Sequence, residues 1–111
     1  MEDAIDSNTV CLVGSCPDYT FSNYDNMEAL GKLAERKGIG LHSDCCLGSF
    51  VNPFIEELGF KTSTVFDFRN PNITSITCDP HKYGLGPKGL SVLMFRFKEF
   101  RRFIMFANSD W

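Results

Sequence analysis

Ile73-Thr-Ser-Ile-Thr-Cys-Asp-Pro-His-Lys-Tyr-Gly84, continued by Leu85-Gly-Pro-Lys-Gly89, is the stretch on which the fold turns. Ile73 to Cys78 is short, rich in β-branched residues and closed by Asp79-Pro80, the signature of a strand. Asp79 to Lys88 is a loop punctuated by glycine and proline, and Gly89 to Phe97 reads as another strand. That loop holds no helix long enough for a crossover, so the two strands it joins are expected to be antiparallel neighbours.

Upstream the pattern changes. Thr9-Val-Cys-Leu-Val-Gly-Ser15 is a continuous apolar run suited to a strand covered on both faces. After a loop over 17–24, Asp25 with Glu28 three residues later predicts a capping box. Met27, Leu30, Leu33 and Ala34 then give an apolar stripe that ends with Arg36, Lys37 and Gly38. Ile39 to Asp44 reads as the next strand and Gly48 to Leu58 as a second helix, started near Pro53 because proline is tolerated in a first turn. Phe60 to Asn72 is of mixed polarity and is predicted to be a surface excursion, and Lys98 to Phe106 a terminal helix. Strands alternating with helices specify an α/β architecture, a mostly parallel sheet with one antiparallel strand. Four strands with two crossover helices leave a sheet edge and much aromatic surface uncovered, as in a piece of a larger domain.

The composition restricts function. The chain has 111 residues, of which 43 % are hydrophobic, 14 % aromatic and 23 % charged, which excludes disordered, collagen-like and coiled-coil classes. Its net charge of −3 argues against nucleic acid as a partner. The charge is uneven, with 5 basic and 12 acidic residues before position 81 and 6 basic and 2 acidic from there on. The basic end could meet an anionic ligand or form a solvated face. No stretch is long and apolar enough to span a bilayer, and the acidic start MEDAIDSNTV is unlike a signal peptide, so this chain alone reads as soluble and cytoplasmic. Five cysteines, an odd number with two adjacent, are expected to be reduced, buried thiols.

Chemistry is expected outside the carboxyl ends of the strands, where open parallel sheets bind ligands. One such end carries His42-Ser43-Asp44 and the next Asp79-Pro80-His81-Lys82, so an acid and a lysine converge on one crevice. A lysine flanked by His81 and Tyr83 can become a nucleophile if desolvation or neighbouring cations lower its pKa. A carboxylate beside it can keep a heteroaromatic nitrogen protonated. Together they meet the needs of pyridoxal 5'-phosphate (PLP), whose aldehyde takes an amine and whose ring nitrogen takes an acid. His42, Cys45 and Cys46 do not match zinc-ligand spacing, and no second pair follows, so no metal is expected. His42 reads instead as a hydrogen-bonded core histidine. The phenylalanines at 95, 97, 100, 103 and 106 read as core and interface packing.

At these residues the sequence resembles a known family. His42-Ser-Asp-Cys-Cys-Leu-Gly-Ser-Phe50, Phe66-Asp-Phe-Arg69, the block 73–84 and Gly86-Pro-Lys-Gly89 are similar to consecutive blocks of the sphingosine-1-phosphate lyase family, within the group II decarboxylase-like PLP enzymes. The resemblance runs from about Asn8 to the terminal Asp110-Trp111. It implies part of an aspartate-aminotransferase-like (fold type I) PLP-dependent transferase large domain over 1–111, with an upstream phosphate-binding segment and a C-terminal small domain absent. It further implies Lys82 as the Schiff-base lysine, Asp44 as partner of the pyridine nitrogen, His81 beside the cofactor phosphate, Cys46 against the ring and Lys88 near the substrate phosphate. Departures occur at Pro17-Asp-Tyr-Thr-Phe-Ser22, where the family has Pro-x-Phe-Pro-x-Gly, and at Ser49, where many relatives carry glycine.

The function so implied is cleavage of a phosphorylated sphingoid base to a long-chain aldehyde and phosphoethanolamine. A homodimer at the cytosolic face of the endoplasmic reticulum membrane is implied with it. An amino-acid decarboxylase of the same superfamily is the alternative enzyme, and a non-catalytic fragment that binds a partner chain is the alternative from another class.

Overall fold

Leu12 is aligned with Leu41 and Ser43 with Ile76, and all four are buried on one face of a four-stranded sheet. The structure is a computed structural model and describes residues 1–104. Its elements are β1 (Cys11–Ser15), α1 (Met27–Lys37), β2 (Gly40–Asp44), α2 (Asn52–Glu57), β3 (Ser75–Cys78) and β4 (Val92–Phe95), with 3-10 turns at Glu2–Ala4 and Lys98–Phe103. The spatial order is β1-β2-β3-β4, with the first two pairings parallel and the last antiparallel. That is the expected mostly parallel sheet with one antiparallel strand. The terminal helix is a 3-10 turn over the described residues, and Phe106 lies outside them.

α1 crosses the buried face of β1 and β2. Met27, Leu33 and Ala34 from its apolar stripe join Leu12, Leu41, Ile73 and Ile76 in the core. The helix sits close because Gly14 has no side chain: a Cβ there would lie 2.8 Å from Leu30 Cδ1. Gly38 ends the helix in the left-handed region with φ 67°.

The start of α1 differs from the capping box expected. Asn26 is the cap, its Oδ1 accepting from the Ala29 N–H at 2.9 Å. Asp25 instead accepts from the Ser15 N–H at 2.8 Å, fastening the loop to the end of β1. Glu28 reaches away from its own helix to the Thr64 hydroxyl and the Val65 N–H. A neighbouring asparagine, equally good as a cap, left both carboxylates free for tertiary contacts.

The 60–72 excursion also departs from expectation. Thr64, Phe66 and Asn70 are buried, and this segment closes the core. Its polar side chains are inside because each serves a backbone group. Thr64 Oγ1 accepts from the Met27 N–H at 2.9 Å, and Asn70 Nδ2 donates to the Met27 carbonyl at 3.1 Å. Ser43 donates to the Phe66 carbonyl at 2.7 Å. From beyond β4, the Arg96 guanidinium donates to the carbonyls of Ile73, Phe68 and Asn70 at 2.7, 2.9 and 2.6 Å. It also lies 5.0 Å from the centroid of the Phe68 ring.

The other sheet face carries Val13, His42, Ser75 and Thr77, and Val13 there is 51 % exposed rather than covered. The accessible surface, 7962 Å², exceeds the roughly 6,200 Å² that size scaling gives for this mass. All five cysteines are free thiols; Cys16 and Cys45 are buried as expected, whereas Cys11 is exposed on the edge strand β1. Ser22, where the resembling family has glycine, takes φ 56°, in the left-handed region that favours glycine.

Candidate active site at the carboxyl ends of β2 and β3

Parallel register sets Ser15 beside Asp44 and Asp44 beside Thr77 at the carboxyl end of the sheet. Asp44 is half-buried there. Its Oδ1 accepts from the Cys46 N–H at 3.0 Å and from the Thr77 hydroxyl at 3.3 Å. Burial works to raise the carboxyl's pKa, but the bonds from Cys46 and Thr77 and the nearby His42 outweigh it and hold Asp44 below the usual carboxylate range. It is an ionised acid.

Lys82 enters from the turn after β3. Its N–H donates to the Asp79 carbonyl at 3.0 Å, and the Gly86 N–H closes the loop on the Pro80 carbonyl at 2.8 Å. Gly84 is needed for this path, since a Cβ there would stand 2.8 Å from the Pro80 carbonyl oxygen. The turn aims the amine inward, where its Nζ lies 2.8 Å from Asp79 Oδ2. Asp79, only 9 % exposed, also accepts from the Ser91 hydroxyl at 2.6 Å.

Lys82 and Asp44 are not directly paired. Cys46 stands between them: its N–H is on Asp44, and its thiol is near enough to the Lys82 amine for each to influence the other's protonation. The lysine pKa is raised, first by the bond to Asp79 and then by Cys46, with burial opposing. The condition for a nucleophilic lysine, a lowered pKa, is therefore not met here, because the carboxylate three residues earlier is paired with the amine. Burial raises the Cys46 thiol, Lys82 pulling the other way.

His81 turns outward from this cluster. Its Nδ1 donates to the Leu90 carbonyl at 2.6 Å, leaving Nε2 3.8 Å from Asp79 Oδ2. His81 and Lys88 share one open cavity of about 740 Å³ with Asp79, Gly89 and Ser91. The structure thus gathers Asp44, Cys46 and Lys82 on one side of Asp79, and His81 and Lys88 on the other. A second cavity of about 310 Å³, lined by Pro17, Tyr24, Leu47, Val51, Asn52 and Tyr83, opens beside the Lys82 loop. Among the described residues no group of three or more acidic, histidine or cysteine side chains is placed to hold a metal ion.

Sequence reasoning missed Asp79, Thr77 and Asn52. Asp79 had a signal in its spacing of three from Lys82 within a turn. Thr77 needed the strand register. Asn52, fully buried, donates to the Cys16 carbonyl at 3.0 Å and accepts from the Tyr24 hydroxyl at 2.6 Å, a role no local pattern announces.

The chain is 46 % identical over 107 residues to a sphingosine-1-phosphate lyase of Saccharomyces cerevisiae, a match covering 96 % of the chain and 18 % of that relative. Among solved structures, a sphingosine-1-phosphate lyase of Burkholderia pseudomallei superposes with a TM-score of 0.88 at 47 % identity, covering 99 % of this chain and 25 % of that one. A glutamate decarboxylase of Lactobacillus brevis superposes with a TM-score of 0.75 at 30 % identity, covering 88 % of this chain and 22 % of that one. The chain spans about a fifth of the length of the curated relatives it matches. No family model matches it. No helix among the described residues is long and apolar enough to cross a membrane.

Proposed function

We propose, from the chain's place among the sphingosine-1-phosphate lyases in sequence and in fold, that it forms part of the cofactor-binding large domain of a PLP-dependent carbon–carbon lyase. Its substrate is a phosphorylated sphingoid base, cleaved between C2 and C3 to a long-chain aldehyde and phosphoethanolamine. The observation that carries this reading is the placement of an ionised carboxylate, Asp44, at the carboxyl end of β2 and a primary amine, Lys82, on the turn that follows the neighbouring β3, with Cys46 between them.

The donor set fits PLP. Asp44 Oδ1 has two protein donors, whereas Oδ2 has none among the described residues, so one carboxylate oxygen remains to meet a protonated ring nitrogen. Lys82 supplies the amine that the aldehyde takes, and Cys46 would pack against the ring. His81 would stand toward the cofactor phosphate and Lys88 toward the substrate phosphate, on the strength of their shared cavity. When bound, PLP supplies the sink for the electron pair released as C2–C3 breaks. Asp44 would hold the proton on the ring nitrogen, and that proton is what lets the ring accept the electron pair. Lys82 must first lose its proton and leave Asp79, after which its free amine can carry a proton near the reacting carbons.

The homodimer and the location at the endoplasmic reticulum membrane that the resemblance implies belong to the same proposal. So does the assignment of residues 1–111 to the large domain. The exposed Val13 and Leu93, on the sheet face away from α1, support that assignment, since a further layer of chain would cover them. Amino-acid decarboxylation is the second reading, favoured by the superposition on the glutamate decarboxylase.

The test uses the whole protein that carries this chain. Borohydride reduction followed by peptide mapping should place a pyridoxyl group on Lys82, and a phosphorylated sphingoid base should release aldehyde. An adduct on Lys88 instead would overturn the site. Carbon dioxide from an amino acid, with no aldehyde from the sphingoid base, would establish the second reading. No adduct and no product would leave the non-catalytic role.

A further inference from the structure

We propose that His42 and Thr77 form a positioning chain that orients Asp44, presenting one chosen carboxylate oxygen to the ring nitrogen of the cofactor; the inference rests on the reading of Asp44 given above. The β2–β3 register creates the chain, placing Ser75 beside His42 and Thr77 beside Asp44. Four side chains on the same sheet face are then linked. His42 Nδ1 lies 2.8 Å from Ser75 Oγ, His42 Nε2 lies 3.1 Å from Thr77 Oγ1, and Thr77 Oγ1 lies 3.3 Å from Asp44 Oδ1.

The direction of every proton in this line follows from its ends. An ionised carboxylate can only accept, so Thr77 gives it the single hydroxyl proton. The threonine oxygen must then accept from His42, which puts the imidazole hydrogen on Nε2. In a neutral imidazole Nδ1 is left as an acceptor, and the Ser75 hydroxyl fills it. Burial, which lowers the His42 pKa against the opposing charge of Asp44, favours that neutral ring. Asp44 is the charged group that faces His42.

The outcome at the carboxylate is asymmetric. Thr77 and the Cys46 N–H both bind Oδ1, one from the adjacent strand and one from the turn that follows β2. Two donors from different directions on the same oxygen fix the rotation of the carboxylate about its own bond and turn the other oxygen outward. His42 touches neither the oxygen presented nor, in this reading, the cofactor. It acts through Thr77.

The experiment compares Thr77→Val, Thr77→Ser, His42→Leu and Asp44→Asn in the whole protein loaded with PLP carrying a 15N label in the ring. Two quantities are read: the PLP dissociation constant and the ring 15N resonance, which reports protonation of that nitrogen. Thr77→Val should weaken PLP binding about tenfold, the scale of one hydrogen bond to a charged group, and shift the resonance toward the unprotonated position. Thr77→Ser should restore both. His42→Leu should move both in the same direction, and its combination with Thr77→Val should be no worse than Thr77→Val alone, as for two members of one line.

Native resonance and affinity in Thr77→Val, with both altered in Asp44→Asn, would overturn the positioning chain and leave the role of Asp44 intact. Native values in Asp44→Asn would overturn the reading of Asp44 and the chain with it. Where Thr77→Val does not fold, His42→Leu decides by the same two readouts.

Discussion

Lys82 Nζ meets Asp79 Oδ2 at 2.8 Å across one turn, while Asp44 is held by Cys46 and Thr77. The two carboxylates near the amine therefore have different work. Asp79 neutralises the lysine and keeps it protonated, and Asp44 is kept apart from it with one oxygen unused. An amine paired this closely with a local carboxylate waits in its charged, unreactive form.

Replacing Asp79 by Asn should release the amine. Asp79 is the leading cause of the raised Lys82 pKa, so its loss lowers that pKa and increases the fraction of free amine at any pH below it. In the whole protein, the pH at which added PLP couples to Lys82, followed by visible absorbance, should fall in Asp79→Asn. An unchanged pH profile would show that the ion pair does not control the amine.

Asp44→Asn should keep the fold and much of the cofactor but remove most turnover, by roughly a hundredfold or more on the scale of a lost electrostatic contact to developing charge. An amide cannot stabilise a protonated ring nitrogen as a carboxylate does. Steady-state release of aldehyde against retained PLP absorbance measures the difference.

Gly84→Ala tests the loop rather than the chemistry. The added Cβ would stand 2.8 Å from the Pro80 carbonyl oxygen and 2.9 Å from the Pro80 Cα, both of them backbone. Relief requires the turn that carries Lys82 to open. The expected outcome is a cost of about 1–3 kcal/mol in denaturant unfolding, together with less pyridoxyl adduct on Lys82 after borohydride.

Asn52→Ala removes the donor to the Cys16 carbonyl and the acceptor for the Tyr24 hydroxyl at a position with no exposure. A buried carbonyl left unpaired costs about 1–3 kcal/mol. The unfolding midpoint should drop accordingly, and Asn52→Asp should not rescue it, since a carboxylate has no N–H to donate to Cys16.

His42 gives a pH dependence whose sign is set by its depressed pKa. The unfolded chain takes up the imidazole proton near 6.5 while the folded chain resists, because burial disfavours the charged ring. Stability is therefore complete above that value and declines as the pH falls through it. Thermal unfolding between pH 7 and pH 5 should show a shallower decline in His42→Gln than in the parent protein.

The strands, their mostly parallel sheet and the antiparallel last pair were legible because their signals are local: β-branched runs, the crossover helix between β1 and β2, and the short loop that forces β4 antiparallel. Lys82 and Asp44 were legible as strand-end residues and through the resemblance of their neighbours. Their separation was not, since the side chain of Cys46 and the competing carboxylate of Asp79 act through space. Thr64 and Asn70 were read as surface residues because polarity was taken as exposure. They are buried because each meets a backbone group at the start of α1, a partner some 37 to 43 positions away in the chain. Thr77 and Ser75 could be assigned to His42 only once the register was known.

Arg96 has a temporal consequence. The carbonyls at positions 68 and 73 have this one side chain, located 23 to 28 residues later, as their donor, and the Asn70 carbonyl takes it beside the local Ile73 N–H. As the polypeptide is synthesised, the segment before β3 emerges with those acceptors still exposed to water, and only the arrival of β4 closes them. The closing of the core on the α1 side is thus coupled to completion of the antiparallel pair on the far edge. Amide hydrogen exchange in 66–73 should slow in the same step as exchange in Val92–Phe95, with no earlier stage in which the first segment is protected alone.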